Sequence, residues 1–261
     1  MRQITFKINE ECNFNCFYCS ANHYRPNTEI QLDKLEKAFK RIGKVEIFQI
    51  TGGEPLLLEE KVLGLIDIID AERIYLFSNL SLLAPDFLDK VKKKIEFFTT
   101  YHYFDIGFDD YIEKVSLASR FRVHIAAILH PMLTERFIEG VSARFRKWGK
   151  KVSWKSCSGM HNGVRYPNVE YLDKFSKYLK TSERELFNSK SRISFKGKMC
   201  AAGKDAINIF NNGDVFRCVA AKVKEEKMGN IYDEGFSVDT QPRECVFPFC
   251  NCYYQGQRYV V

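Results

Sequence analysis

Two periodicities alternate along the first two thirds of the 261-residue chain. Short runs rich in β-branched and aromatic residues, at 4–8, 45–50, 73–77, 97–101, 122–129 and 151–154, read as strands. Between them apolar residues recur at helical spacing. Leu32, Leu35, Phe39 and Ile42 mark one helix over 32–42, and further helices are expected at 60–69, 84–94, 110–119 and 134–148. Six strands alternating with five helices predict an α/β protein with a parallel sheet, because right-handed crossovers return each helix across the sheet. Six units point to a partial (β/α)6 TIM-type barrel rather than a closed eight-stranded one, with ligands expected at the C-terminal ends of the strands.

The alternation stops near Cys157. Residues 156–167 contain two glycines, a proline and three Ser or Asn, and read as a loop or boundary, with a polar helix over 168–180 behind it. From Met199 onward the pieces are short and strand-like, 205–210 and 215–218, joined by the hairpin-type turn Asn211-Asn212-Gly213-Asp214. The expected division is therefore a barrel over 1–160, a linker and helix over 161–198, and a small C-terminal β-hairpin/helix extension over 199–261.

Composition narrows the function classes. With 45% hydrophobic and 28% charged residues the chain reads as an ordinary globular protein. No window approaches the ~18 apolar residues of a membrane span, and residues 1–9 lack a signal-like apolar stretch, so a cytoplasmic protein with no membrane partner is expected. The 40 basic residues outnumber 33 acids, giving +7, yet they are dispersed. The run Lys90-Val91-Lys92-Lys93-Lys94 sits beside Asp86, Asp89 and Glu96 as a solvated helix face, and no nucleic-acid partner is expected. Nine cysteines, an odd number, exclude a fully paired disulfide framework and leave thiols for metals or chemistry.

Cys12, Cys16 and Cys19 form a C-x3-C-x2-C run directly after the first expected strand. Three thiolates within eight residues can converge on one metal centre, and they are one short of the four that a closed zinc site or an ordinary cubane takes. The open position points to catalysis. The alternative is three buried thiols, or a zinc site completed by a distant His. The second strand leads into Thr51-Gly52-Gly53-Glu54-Pro55, where paired glycines allow close backbone approach to a ligand and Glu54 offers a carboxylate to an ammonium group.

The cysteine run with Tyr18, together with Gly52-Gly53-Glu54-Pro55, resembles the signature of the radical S-adenosylmethionine (SAM) superfamily. The resemblance implies that Cys12, Cys16 and Cys19 hold a [4Fe-4S] cluster that binds SAM, and that SAM is reductively cleaved to methionine and a 5′-deoxyadenosyl radical. It further implies SAM contacts from Tyr18, Thr51, Gly52, Gly53 and Glu54, and from Ser78 and Asn79 after the third strand. Family members often carry Thr-Asn-Gly at that last place; here Leu80 replaces the glycine, and Ser78 and Asn79 equally suit a turn cap.

Cys200, Cys218, Cys245, Cys250 and Cys252 fall within 53 residues, and the hairpin between the first two brings their thiols to the base of a two-stranded element. On the residues alone a structural zinc competes with iron–sulfur. The stretch with Gly213-Asp214-Val215-Phe216-Arg217-Cys218 and Met228-Gly229-Asn230-Ile231 resembles the SPASM/twitch extension of radical SAM enzymes, which implies an auxiliary [4Fe-4S] cluster. Five cysteines cannot fully ligate two cubanes, so one auxiliary cluster is expected; the Cys245-x4-Cys250-x-Cys252 spacing leaves open which four bind it. Cys157, after the sixth strand, suits a hydrogen-atom donor to a substrate radical or a buried small hydrophobe. His102 and His130 end the fourth and fifth strands, suited to substrate contacts or to structural hydrogen bonds, and Phe14, Phe17 and Tyr18 suit shielding of a cluster.

The resemblance implies hydrogen-atom abstraction from a small-molecule substrate, dehydrogenase-like, with the auxiliary cluster accepting an electron or binding substrate. In layout it is similar to aminocyclitol dehydrogenases, and the electron donor would be a reductase or flavodoxin-type protein. The alternative is a peptide maturase forming a thioether or carbon–carbon bond or epimerising a residue; the strand at Ile4 leaves no room ahead of the barrel for a peptide-recognition domain. A third reading is a non-catalytic zinc-binding interaction protein.

Overall fold

The structure, a computed structural model, describes residues 2–19, 29–179, 194–218 and 226–247. The barrel strands are β1 (Gln3–Lys7), β2 (Val45–Thr51), β3 (Ala71–Ser78), β4 (Ile95–Thr100), β5 (Arg122–Leu129) and β6 (Val152–Ser156). They alternate with α1 (Leu32–Ile42), α2 (Glu59–Ile68), α3 (Pro85–Lys90), α4 (Phe108–Leu117) and α5 (Glu135–Lys147). All six strands pair in parallel in chain order, as the alternation requires.

Period-2 burial explains how the strands sit. In β3, Ile74, Leu76 and Ser78 are buried while Tyr75 and Phe77 are half-buried. The helices supply the matching apolar stripes: Leu35, Ala38 and Phe39 from α1, Val62, Leu65 and Ile66 from α2, and Ile138, Val141 and Phe145 from α5. Phe39 meets Phe48 edge-on at 5.5 Å, and Phe145 closes against Phe108 at 4.9 Å. On the opposite face of the sheet Tyr75, Phe77 and Phe98 form a ring stack that ends on His124, whose Nε2 bonds Glu96 at 2.6 Å.

Four sequence expectations change. The helix expected over 84–94 ends at Lys90, because Val91 turns extended and the chain enters β4 two residues earlier than the pattern indicated. Within 156–167, read as a loop, lies a hairpin of β7 (Gly159–His161) and β8 (Val164–Tyr166). Its turn is Asn162-Gly163, both at positive φ (47° and 76°), the mirror-image turn geometry that Asn-Gly favours. The helix expected over 168–180 is only α6 (Val169–Lys174), capped by the Asn168 side chain on the Tyr171 amide.

The fourth change concerns the C-terminal quarter. Its strands are β9 (Met199–Cys200), β10 (Ala206–Phe210), β11 (Asp214–Phe216), β12 (Lys227–Asn230) and β13 (Arg243–Glu244). The turn between β10 and β11 forms as expected, with Gly213 at φ 84° packed against Tyr232 and Asn230. Yet β10 also pairs in parallel with β1, so β10, β11 and β12 extend the barrel sheet to nine strands in the order β12-β11-β10-β1-β2-β3-β4-β5-β6. Among the described residues no helix is long and apolar enough to cross a membrane.

Candidate active site

Parallel pairing brings the C-terminal ends of β1 to β6 to one rim. There Lys7 pairs with Thr51, Ser78 with Thr99, and Leu129 with Ser156. The loop after β1 crosses this rim and lies on the turn after β2. Gly53 N donates to Asn9 O at 3.1 Å, Glu54 N to Glu11 O at 2.7 Å, and Asn9 Nδ2 to Glu54 O at 2.7 Å. A Cβ on Gly53 would stand 2.9 Å from the Cys12 amide nitrogen and closer still to the Glu11 carbonyl. The paired glycines therefore admit the backbone of the cysteine loop itself.

Glu54 is 1% exposed, and its carboxylate accepts from Leu56 N at 3.0 Å, Ser78 Oγ at 2.8 Å and Asn79 N at 2.7 Å. Burial pushes its carboxyl above the usual range against the pull of those three donors. The Asn79 side chain then reaches the cysteine loop, donating to Asn13 Oδ1 at 2.9 Å and approaching Cys12 Sγ at 3.8 Å. Ser78 and Asn79 thus do act as a turn clamp: Leu80 N donates to Ser78 Oγ, and Leu80 takes the positive φ (64°) that a glycine would otherwise supply.

The result is a cavity of about 160 Å³. Cys12, Cys16 and Cys19 line it together with Thr51, Gly52, Gly53, Glu54, Ser78 and Asn79, all singled out from sequence. The remaining wall is Phe14, Phe77, Phe98, Thr100 and His102. Tyr18 lies behind the loop, 9% exposed, with its hydroxyl 3.0 Å from His102 Nδ1 and its ring parallel to the imidazole. Cys16 Sγ donates to Asp105 Oδ2 at 3.1 Å and lies 3.2 Å from His102 Nδ1. Burial holds His102 neutral, with its pKa down to about 4, and burial likewise pushes the Cys12 and Cys16 thiols up.

The donor set fits an iron–sulfur cluster. Three thiols on one loop face a cavity whose other side is glycine backbone, a set of soft donors that suits iron–sulfur or another thiophilic metal. Asn9 and Asp105 carried no sequence signal of their own. Their roles follow from the crossing of the β1 loop over β2 and from the turn after β4, both tertiary events.

Beyond the cavity, the half-exposed Phe17 carries the cysteine loop toward the ends of β5 and β7. Its ring lies 4.6 Å from His130, 5.1 Å from Phe104 and 5.8 Å from His161. His130 is fully buried; Nδ1 accepts from Met132 N at 3.3 Å, which puts the proton of the neutral ring on Nε2, an atom without a hydrogen-bond partner among the described residues. Burial, His161 and Lys174 lower its pKa to about 4. Cys157, one residue past β6, is 3% exposed within the apolar core, not on the cavity wall; its amide donates to Tyr171 Oη at 2.8 Å.

The C-terminal cysteines form a separate group. Cys200 lies in β9, opposite Arg243 of β13. Cys218 follows β11 and packs beside Phe210 and Phe216, and Cys245 follows β13, its amide bonded to Lys198 O at 2.9 Å. Cys250 and Cys252 lie outside the described residues.

Comparison with known proteins agrees with this geometry. The chain is similar to a probable GTP 3′,8-cyclase of Thermoplasma volcanium, 33% identical over 82 residues, covering 30% of this chain and 24% of that protein. It is also similar to the GTP 3′,8-cyclase of Haemophilus ducreyi, 36% identical over 69 residues, 23% of this chain and 20% of the relative. Each match thus spans under a third of the relative's length. Among solved structures, anSMEcpe with bound AdoMet superposes with a TM-score of 0.66 at 17% identity, covering 89% of this chain and 78% of that one. Streptococcus suis SuiB bound to S-adenosylmethionine superposes with a TM-score of 0.61 at 15% identity, covering 89% and 64%. At these identities the structures establish a shared fold. The profile of the Radical SAM superfamily matches residues 6–130, the stretch that holds the cysteine loop, the Gly52-Gly53-Glu54 turn and the Ser78-Asn79 clamp. Residues 6–130 are a radical SAM superfamily domain.

Proposed function

We propose that the protein is a radical SAM enzyme that abstracts a hydrogen atom from a small-molecule substrate in a dehydrogenase-like oxidation. The observation that carries this reading is the single cavity shared by Cys12, Cys16 and Cys19 with the backbone of Thr51, Gly52 and Gly53 and the Ser78-Asn79 clamp. A [4Fe-4S] cluster with SAM supplies, when bound, one-electron cleavage of SAM to methionine and a 5′-deoxyadenosyl radical. The chain's own residues do the rest. Glu54 holds the end of β3 against the cysteine loop, the Asn79 amide fixes Asn13 beside Cys12, and Phe14, Phe77 and Phe98 keep water from the cavity.

The substrate belongs on the Phe17 side of the rim, where the His130 Nε2–H is a buried donor without a partner among the described residues. Cys157 is kept in this reading as a candidate hydrogen-atom donor, although it is 3% exposed in the apolar core. Up to four of Cys200, Cys218, Cys245, Cys250 and Cys252 provide the ligands of one auxiliary [4Fe-4S] cluster, serving as electron acceptor or substrate ligand, and a reductase or flavodoxin-type protein supplies the electron. A peptide substrate is the second reading. It is favoured by an apolar rim of Phe17, Phe104 and Met132, 51%, 56% and 70% exposed, which suits a larger ligand. The anSMEcpe fold neighbour, solved with AdoMet and a Kp18Cys peptide, is compatible with it.

The test is iron and sulfide content and 5′-deoxyadenosine formation on anaerobically reconstituted protein with SAM and dithionite. The parent is compared with a Cys12→Ala, Cys16→Ala, Cys19→Ala variant. About eight irons per chain are expected, falling to about four in the variant with loss of the nucleoside. Zinc in place of iron, or nucleoside formation indifferent to these cysteines, refutes the reading.

A further inference from the structure

Arg217 does not line the cavity of the barrel, yet among the described residues of the C-terminal region its charged side chain is heavily engaged. Its side chain is 3% exposed and pairs with Glu226, 4% exposed, at 3.3 Å. The guanidinium donates to four carbonyls: Nε to Ala202 O at 3.2 Å, Nη1 to Glu244 O at 2.9 Å, and Nη2 to Cys200 O at 3.3 Å and Arg243 O at 3.1 Å. Arg217 immediately precedes Cys218, and Glu244 immediately precedes Cys245. One planar group therefore ties the backbones beneath Cys200, Cys218 and Cys245, three segments that β9–β13 pairing of only two residues per strand would hold weakly.

Burying an ion pair adds little net stability, since desolvation offsets the attraction, and well-packed apolar residues would serve a core as well. What the guanidinium adds is geometry. Its fork sets several acceptors in one plane at fixed separations, which a lysine ammonium cannot do. We propose that Arg217, oriented by Glu226, is the positioning residue of a metal site containing Cys200, Cys218 and Cys245. This rests on the auxiliary-cluster reading above, and it selects Cys200, Cys218 and Cys245 as ligands among the C-terminal cysteines.

The test uses the full chain, reconstituted anaerobically with iron and sulfide. Arg217→Lys, the double variant Arg217→Met with Glu226→Met, and Cys218→Ala are compared with the parent. The double variant removes both charges together, so that no unpaired buried charge unfolds the region. Readouts are iron, sulfide and zinc per chain, the electron paramagnetic resonance signals of the reduced protein, the Tm of the metal-free protein, and 5′-deoxyadenosine formed from SAM alone. The expected result is a fall from about eight irons to about four in both Arg217 variants, matching Cys218→Ala, while nucleoside formation stays within about twofold of the parent. Metal-free Tm should fall in the double variant, which strips four carbonyls of this donor, and stay nearer the parent's in Arg217→Lys, which keeps a cation there. Arg217 variants that keep about eight irons and the second signal overturn the proposal. A parent that binds only about four irons, all lost with Cys12, Cys16 and Cys19, overturns the auxiliary-cluster reading instead. Zinc on the C-terminal cysteines, lost in the Arg217 variants, overturns iron there and supports the positioning role.

Discussion

Gly53→Ala isolates what the Gly-Gly turn does. Its backbone is not in the left-handed region, so alanine is conformationally acceptable there and only space opposes it. The atoms in the way are the Glu11 carbonyl and the Cys12 amide, backbone that no rotamer change can move. Relief to ordinary contact requires the cysteine loop to lift by more than about 1 Å, which breaks the bonds Gly53 N to Asn9 O, Glu54 N to Glu11 O and Asn9 Nδ2 to Glu54 O. At about 1 kcal/mol each, the loss is about 3 kcal/mol, and a displacement of that size at a reacting centre costs about 100-fold in rate. Gly52→Ala meets chiefly the Asn9 side chain, which can turn aside, and should cost less. Gly140→Ala, in α5 with nothing within 4 Å, should stabilise by about 0.5–1 kcal/mol through helix propensity. The assay is metal-free Tm with iron content and 5′-deoxyadenosine formation on the three variants. The order of damage should be Gly53→Ala, then Gly52→Ala, with Gly140→Ala unharmed. A Gly53→Ala protein with parental iron content and nucleoside yield would refute the reasoning.

Two further outcomes follow from the same geometry. His130 has a folded pKa of about 4 against 6.5 for the free side chain, so the folded state takes up its proton later than the unfolded chain as pH falls. The stability present above pH 6.5 is therefore lost progressively down to about pH 4, by at most roughly 3 to 4 kcal/mol from this residue. His130→Phe should flatten the chemical-denaturation profile of the metal-free protein over that window, leaving the slope contributed by His102; an unchanged profile would count against the buried neutral imidazole. Ser142→Ala removes the acceptor of the buried Trp154 Nε1, now bonded at 2.9 Å, and should cost about 1 kcal/mol in urea unfolding; no measurable loss would show that the contact between α5 and β6 does not depend on it.

The barrel was legible because its signals are local. Helix 32–42 and strand 122–129 are bounded by pattern at the residues where the structure bounds them, since a strong apolar stripe and an apolar run carrying Val123, Ile125 and Ile128 each have one good solution. The misreadings lie where local signals compete with topology. Lys92, Lys93 and Lys94 prolonged a helical pattern that the chain leaves in order to enter β4, and Asn162-Gly163 was a hairpin signal hidden in a polar stretch.

From sequence alone came the chemistry: three thiols in eight residues, a Gly-Gly-Glu turn, and a second group of cysteines. Local order supplied these, because residue types and short spacings are properties of the chain itself. Only the tertiary structure decided who touches whom. It showed that the glycines admit the backbone of the cysteine loop, that Glu54 is taken up by Ser78 and Asn79, and that β10 joins β1. It also placed Asp105 beside Cys16 and Arg217 beneath the C-terminal cysteines. Such contacts join residues tens to hundreds of positions apart, and their geometry is set by strand order and close packing, which no periodicity along the chain encodes.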